Sequence, residues 1–299
     1  MAWSKITIYY KHSLTGLVAS STMSGYDVAN LLDRLERTLW KGDVTTDIYI
    51  TFDAGVDNTY QADSLRIARH NLNTVNATLA LQYSLDDFGS TPITWAATTA
   101  KVLGDYVYPA APNGYRYECT VAGTTGATEP TWPTTRGQTV ADGTVTWTCR
   151  DDINNAFTPY MPSSDKAIIK EFTSFNTRYS RIKLSGMSDK PYMAIAEWGL
   201  KTELDYADQS FDPHAWKDND NVNVSAEGHL LGVHKTWKER DINIVFEDAD
   251  SALYDKIVDI YNVVDLLNFF IAWEKTDHSS DTWLVRRKPG KRNNPLVQG

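Results

Sequence analysis

Hydrophobic and polar positions alternate with the period of a β-strand in several short runs, each closed by turn residues. Ile48-Tyr-Ile-Thr-Phe52 alternates and ends in Asp53-Ala-Gly55. Ser64-Leu-Arg-Ile-Ala68 is a second such run, closed by His70-Asn-Leu-Asn. Ala77-Thr-Leu-Ala-Leu-Gln-Tyr83 is a third, followed by Ser84-Leu-Asp-Asp-Phe-Gly89. Period-two runs separated by such turns predict a β-sandwich. Val28, Leu31, Leu32 and Leu35 have helical spacing and predict a short helix ahead of the strands. Beyond residue 205 the pattern changes. Asp218-Asn-Asp-Asn221 reads as a polar linker or turn, and Asn223-Val-Ser and Asp241-Ile-Asn-Ile-Val-Phe246 as strands. From Asp248 to Val264, the residues Leu253, Ile257, Ile260, Tyr261 and Val264 share one face of a predicted helix, capped by Asp248 or Asp250. Leu266 to Trp273 reads as a buried strand and Thr282-Trp-Leu-Val285 as another, with His278-Ser-Ser-Asp281 as the turn between them.

Residues 93–154 interrupt the sandwich pattern with three or four short aromatic strands joined by Gly, Pro and Thr turns. This stretch holds three of the ten Trp and both Cys of the chain. Its rings, Tyr106, Tyr108, Tyr115, Tyr117, Trp132 and Trp147, are the candidates for stacking on the C–H faces of a sugar. Trp132 and Tyr108 lead, with Tyr106 and Trp147 behind them. The competing expectation is a small core, because a module of this size must bury rings to fold. Alternation places Tyr115, Tyr117 and Cys119 on one face. Cys119 and Cys149 fall on strands of the same module. They are either a buried reduced pair, as cytosolic synthesis favours, or a disulfide formed after release.

Composition narrows the classes. The chain has 299 residues with 42% hydrophobic and 22% charged, room for two or three globular domains. A net charge of −9 argues against phosphate-backbone contact, so no nucleic-acid partner is expected. No run approaches the ~20 apolar residues of a spanning helix, and the N-terminus lacks a signal-like apolar run. Synthesis in a cytoplasm without membrane insertion is the expectation. The Asn76-Ala-Thr78 and Asn223-Val-Ser225 glycosylation patterns then carry little weight.

Four stretches resemble known families. The order Ala29-Asn-Leu31, Trp40, Ile48 to Gly55, Leu65-Arg-Ile, His70-Asn-Leu72 and Leu81-Gln-Tyr-Ser84 is similar to the discoidin-like (galactose-binding-like) jelly roll. Thr177 to Leu184 and Ala194-Ile-Ala-Glu-Trp-Gly199 fit that family's closing strands. Gly104-x-x-Val-x-Pro, Tyr-x-Tyr-x-Cys119, Thr-Glu-Pro-Thr-Trp132 and Asp142-Gly-Thr-Val-Thr-Trp147 resemble small repeated modules of phage tail and fibre proteins. They are similar also to small chitin- and cellulose-binding modules. The strand, helix, strand-turn-strand order after 205 looks like the ring-forming domain of tubular phage tail proteins, distal tail proteins included. These resemblances imply a mainly β chain. A discoidin-like jelly roll over 1–92 and 155–204 is split by a β-module at 93–154. A C-terminal α+β ring-forming tail domain follows over 205–299.

Catalytic chemistry is not visible. The six His form no zinc spacing, Glu227, His229 and His234 cluster only loosely, and no nucleophile elbow, Walker loop or dinucleotide fingerprint occurs. Asp86-Asp87 reads as a turn pair. No cofactor and no metal is expected. Arg286, Arg287, Lys288, Lys291 and Arg292 place five basic residues in seven, a solvated arm or one that docks on an acidic neighbouring subunit. The resemblances imply a non-enzymatic structural protein of a phage tail tip, within the virion. It would form a homo-oligomeric ring with other tail proteins and display its carbohydrate-binding-like domains outward. The alternative is an adhesion protein that binds host surface glycan.

Overall fold

The computed structural model describes residues 5–90, 92–207, 212, 216–240, 242–246, 249–275 and 281–288. The chain forms two compact units. One is Lys11–Leu200, the other Met1–Tyr10 with Lys201–Gly299. The polypeptide therefore passes between them twice. The first ten residues, expected in the jelly roll, group with the C-terminal segment because Thr7–Lys11 pairs with Asn268–Ala272.

The larger unit is built on an antiparallel β-sandwich. One sheet orders Ile168–Thr177, Tyr60–His70, Tyr192–Glu203 and Trp40–Lys41. The other orders Asn154–Asn155, Thr78–Ser84, Tyr179–Ser185, Ile48–Asp53 and Val18–Ala19. Alternation does what the sequence predicts. Ile48, Ile50 and Phe52 are buried, and the residues between them are not. Trp40 and Trp198 are fully buried in the core between the sheets, and the Trp198 indole N–H donates to Ser180 Oγ at 2.8 Å. The predicted helix is a single 3-10 turn, Val28–Leu32, capped by Asp27. The edge strand Ile168–Thr177 was not foreseen. Its register shifts between Glu171 and Phe175, a bulge that removes the alternation by which a strand is recognised.

The insert holds more strands than expected. A five-stranded sheet orders Thr139–Asp142, Val145–Asp151, Tyr115–Val121, Tyr106–Tyr108 and Ile93–Thr94, and Ala100–Lys101 pairs with Gly123–Thr124. Several of these strands are only two residues long and pair through backbone alone, which no hydrophobic pattern marks. The tight turn at Gly143, with φ +60°, requires glycine, because a Cβ there would strike the Thr124 carbonyl.

In the smaller unit, Thr7–Lys11, Asn268–Ala272 and Thr282–Arg286 form an antiparallel sheet. The helix Ser251–Val264 buries Leu253, Ile260 and Val264, and Asp250 caps it by accepting the Leu253 N–H at 2.7 Å. Two expectations fail here. Residues 218–221 are neither a linker nor a turn but part of the strand Trp216–Val224, which pairs with Leu230–Arg240 as a long two-stranded ribbon. Residues 242–246 form no strand, although Ile242, Ile244 and Phe246 pack on the unit's core. Asp241, Asp248 and residues 278–280 of the predicted turn lie outside the described residues.

A buried charge cluster sits in the sandwich near both chain crossings. Glu197 and Arg66 are 0% exposed. Glu197 Oε1 lies 3.1 Å from Arg66 Nη1, and Oε2 lies 3.2 Å from Arg34 Nε and 2.9 Å from His12 Nε2. Arg66 also donates to the Lys11 carbonyl at 3.2 Å. Gly199 lies so close to that carbonyl that a Cβ there would collide with it. Burial pushes the Glu197 carboxyl up. The His12 hydrogen bond and the charges of Arg66, His12 and Arg34 outweigh it and hold the group at about 2.

A carboxyl held below its unfolded value near 4.5 stabilises the fold above that pH and loses the contribution as pH falls toward 2. Glu197→Gln should therefore destabilise the protein at neutral pH by about 3–5 kcal/mol, since it leaves buried cations uncompensated. Denaturant unfolding should show the gap to wild type narrowing as pH drops from 4.5 to 2. A gap independent of pH would contradict the assignment.

Candidate functional site

The insert spends most of its rings on its own core. Trp147 is fully buried, and its indole N–H donates to Asp142 Oδ2 at 2.9 Å. The Trp95 indole donates to the same oxygen at 2.8 Å, and the Gly126 N–H reaches Asp142 Oδ1 at 2.7 Å. One buried carboxylate thus ties two tryptophans and a turn together. Tyr106 is 7% exposed and lies under the Arg116 guanidinium at 4.6 Å. Neither Trp147 nor Tyr106 can present a face to a sugar, and both expectations are corrected by burial. Tyr115, Tyr117 and Cys119 do share a face against the module's core.

Trp132 and Tyr108 remain partly exposed. Trp132 covers the small core, with its ring 4.2 Å from Tyr117 and 6.1 Å from Trp147. Its indole donates to Glu129 Oε1 at 2.8 Å. Tyr108 donates to Asp152 at 2.8 Å, and burial together with that bond pushes its phenol up. Cys119 and Cys149 are both buried and free. The register sets Tyr117 opposite Cys149 and Cys119 opposite Trp147. The cysteines are therefore diagonal neighbours, about 7–8 Å apart, beyond disulfide reach without backbone movement.

The turn pair Asp86-Asp87 does more than turn the chain. Asp86 is 7% exposed and accepts from Arg136 Nε at 2.7 Å, Arg136 Nη2 at 2.6 Å and the Asp151 N–H at 2.7 Å. Burial raises the Asp86 carboxyl, and Arg136 and the Asp151 N–H bring it below its ordinary value. Arg116, fully buried, donates to the carbonyls of Phe88 and Asp87 and to the Asp151 carbonyl at 2.9 Å. Two arginines of the insert thus grip one turn of the sandwich.

A second aromatic surface lies on the sandwich itself, in residues that no sequence pattern singles out. Tyr83 stacks on Phe175 at 4.5 Å, and Phe175 on Phe172 at 5.7 Å. Phe157 continues the row, 6.0 Å from Phe172 and 5.8 Å from Tyr160. All but Phe175 are partly exposed. The Lys170 ammonium stands 5.8 Å from Phe157 and 5.3 Å from Tyr160, and it makes no ion pair among the described residues. The bulge between Glu171 and Phe175 turns Phe172 and Phe175 to the same side.

In the smaller unit, Val222, Val224, Leu230, Leu231 and Val233 of the ribbon are 45–70% exposed. Glu227 and His229 sit at its tip, with side chains 85% and 78% exposed and 3.8 Å apart. Among the described residues no group of three or more His, Cys, Asp or Glu could hold a metal. Of the five basic assembly candidates, Arg286, Arg287 and Lys288 lie beside an apolar groove, and Lys291 and Arg292 fall outside the described residues.

No protein-family model matches the chain, and no curated protein matches it. Some solved structures are similar to about two thirds of it. One is chitosan-binding module 2 of a chitosanase/glucanase from Paenibacillus sp. IK-5, in complex with chitotriose. It has 11% identity and a TM-score of 0.34 over 62% of this chain and 95% of that chain. Another is CpGH89CBM32-5 from Clostridium perfringens, in complex with GalNAc-β-1,3-galactose, with 8% identity, 62% and 94% coverage and a TM-score of 0.35. The CBM32 of AlyQ, in complex with 4,5-unsaturated mannuronic acid, has 16% identity, 64% and 96% coverage and a TM-score of 0.30. At these scores the likenesses add no ligand and no activity, and the sandwich rests on the chain's own strand pairings.

Asp86→Ala should loosen the insert without unfolding the sandwich. Limited proteolysis should then cut within residues 93–150 while the core of the sandwich survives, and the Leu85 and Asp151 amides should exchange faster. Unchanged protection would show that the Asp86–Arg136 grip is dispensable.

Proposed function

We propose that the chain is a non-enzymatic structural component of a phage tail tip, of the distal-tail kind. It assembles as a homo-oligomeric ring beside other tail proteins, and the sandwich and its insert are displayed outward. It is made in the host cytoplasm and resides in the virion tail. The observation that carries self-assembly is the ribbon Trp216–Arg240. It leaves five large aliphatic side chains in water and joins no larger sheet among the described residues. An isolated two-stranded ribbon is marginal in water, and exposed apolar edges recruit a partner chain. A head-to-tail contact between such copies closes into a ring when the rotation allows. The tail assignment itself rests on the sequence resemblances of the insert and of the segment after 205.

Sedimentation and electron microscopy of the purified protein should show concentration-dependent assembly into closed rings. Leu230→Ser with Leu231→Ser should shift it toward monomer. A wild-type chain that stays monomeric at its highest soluble concentration would overturn the reading.

A second reading, adhesion to a host surface glycan, is favoured by the partly exposed aromatic row on the sandwich. Flat rings beside an unpaired ammonium suit a sugar that carries an acidic group. On a glycan array, loss of signal in Tyr160→Ala but not in Trp132→Ala would put the contact on the sandwich, and the converse would put it on the insert. No binding by wild type at any concentration would remove this reading.

A further inference from the structure

The smaller unit has an apolar groove of about 740 Å³, within the size range of sites that hold a substantial apolar group. Ile257, Ile260 and Phe269 line it from the helix and the sheet, and Ile242, Ile244 and Phe246 line it from the neighbouring segment. That segment alternates like a strand but pairs with no strand among the described residues. It therefore offers both an apolar wall and a backbone edge. Arg286, Arg287 and Lys288 stand at the rim. Arg287 is held by the Asp265 carbonyl at 3.1 Å, whereas Arg286 is exposed and has no ion pair among the described residues. The occupant that fits is apolar in its body and acidic at one end.

The tip of the ribbon has that chemistry. Val224, Leu230 and Leu231 are 58%, 63% and 70% exposed, and Glu227 sits at the turn between the strands. A chain cannot place its own tip in its own groove. Arg240, the last residue of the ribbon, itself lines the groove, so the ribbon starts there. At ~3.3 Å per residue its tip lies on the order of 30 Å away. We infer that the ribbon tip of one copy seats in the groove of the next, with Glu227 against the basic rim at Arg286. The inference rests on the self-assembly proposed above and names the two surfaces that meet. Because the tip and the groove are different surfaces, the contact is head-to-tail and propagates around a ring or along a filament.

A charge exchange tests it on the full chain. Glu227→Arg alone and Arg286→Glu alone should each weaken association roughly tenfold in sedimentation, and the double variant should recover most of the loss. Circular dichroism of each variant confirms that the fold is intact. Association that ignores both single changes, in a chain that still assembles, overturns the groove contact and leaves self-assembly standing. A wild-type chain that never associates overturns both. Native mass spectrometry that finds a long-chain acyl ligand retained by the assembled chain would give the groove to a lipid and also overturn the contact.

Discussion

The carboxylate of Glu197 is the constraint around which the larger unit is organised. A fully buried anion is tolerated only where cations and hydrogen bonds replace its water. Here one imidazole and two guanidinium groups do so, from three separated parts of the chain: His12, Arg34 and Arg66. The same Arg66 holds the Lys11 carbonyl. Glu197 lies on the strand that leads out of the sandwich at Leu200, and Lys11 lies where the chain enters it. One ion cluster therefore fixes both ends of the sandwich polypeptide. The glycine at 199 follows from it, since the strand must pass close against the Lys11 carbonyl.

The insert repeats this device twice on a smaller scale. Asp142 gathers Trp95, Trp147 and the Gly126 turn, and Asp86 with the buried Arg116 grips the module onto the sandwich. A module too small for a large hydrophobic core supplements it with buried, fully partnered polar groups. The consequence for function is direct. Rings that read as a display surface are mostly structural, and Trp132 is a partly exposed cover on the core. The freer aromatic surface is the row from Tyr83 to Tyr160, placed where the edge strand Ile168–Thr177 is bulged.

Regular alternation made the sandwich legible. Ile48–Asp53, Tyr60–His70 and Thr78–Ser84 lie where the short apolar runs predict them, and Tyr179–Ser185 lies where the family resemblance puts a closing strand; Ile48–Asp53 and Tyr179–Ser185 bury one face, whereas Leu65 to Ala68 and Leu79 to Leu81 are buried on both. Ile168–Thr177 escaped for the opposite reason, since its bulge puts Phe172 and Phe175 on one side at a spacing no strand pattern contains. Within the ribbon, residues 218–221 read as a linker or turn because they are rich in turn residues. Only their pairing with Leu230–Arg240, a tertiary fact, makes them a strand. Residues 242–246 failed in reverse, with the apolar pattern of a strand and no partner strand among the described residues. Site residues were legible as residue types and not as positions. Sequence marks Tyr106 and Trp147 as aromatic, but burial decides whether an aromatic ring is core or contact. The weight of Asp86 was invisible, because Arg136 and Asp151 reach it from about 50 and 65 residues away.

These observations leave a smaller unit with an exposed apolar ribbon, an apolar segment that pairs with no strand among the described residues, and a groove with a basic rim. The central claim is that these three belong to one contact between copies of the chain. Its most direct test is cryo-electron microscopy of the assembled protein at side-chain resolution. The account predicts rings in which each ribbon tip, with Leu230 and Leu231 buried, occupies the groove lined by Ile242, Ile244 and Phe246 of the adjacent copy. Assemblies in which the ribbons stand in solvent and the grooves are filled by something else would contradict it.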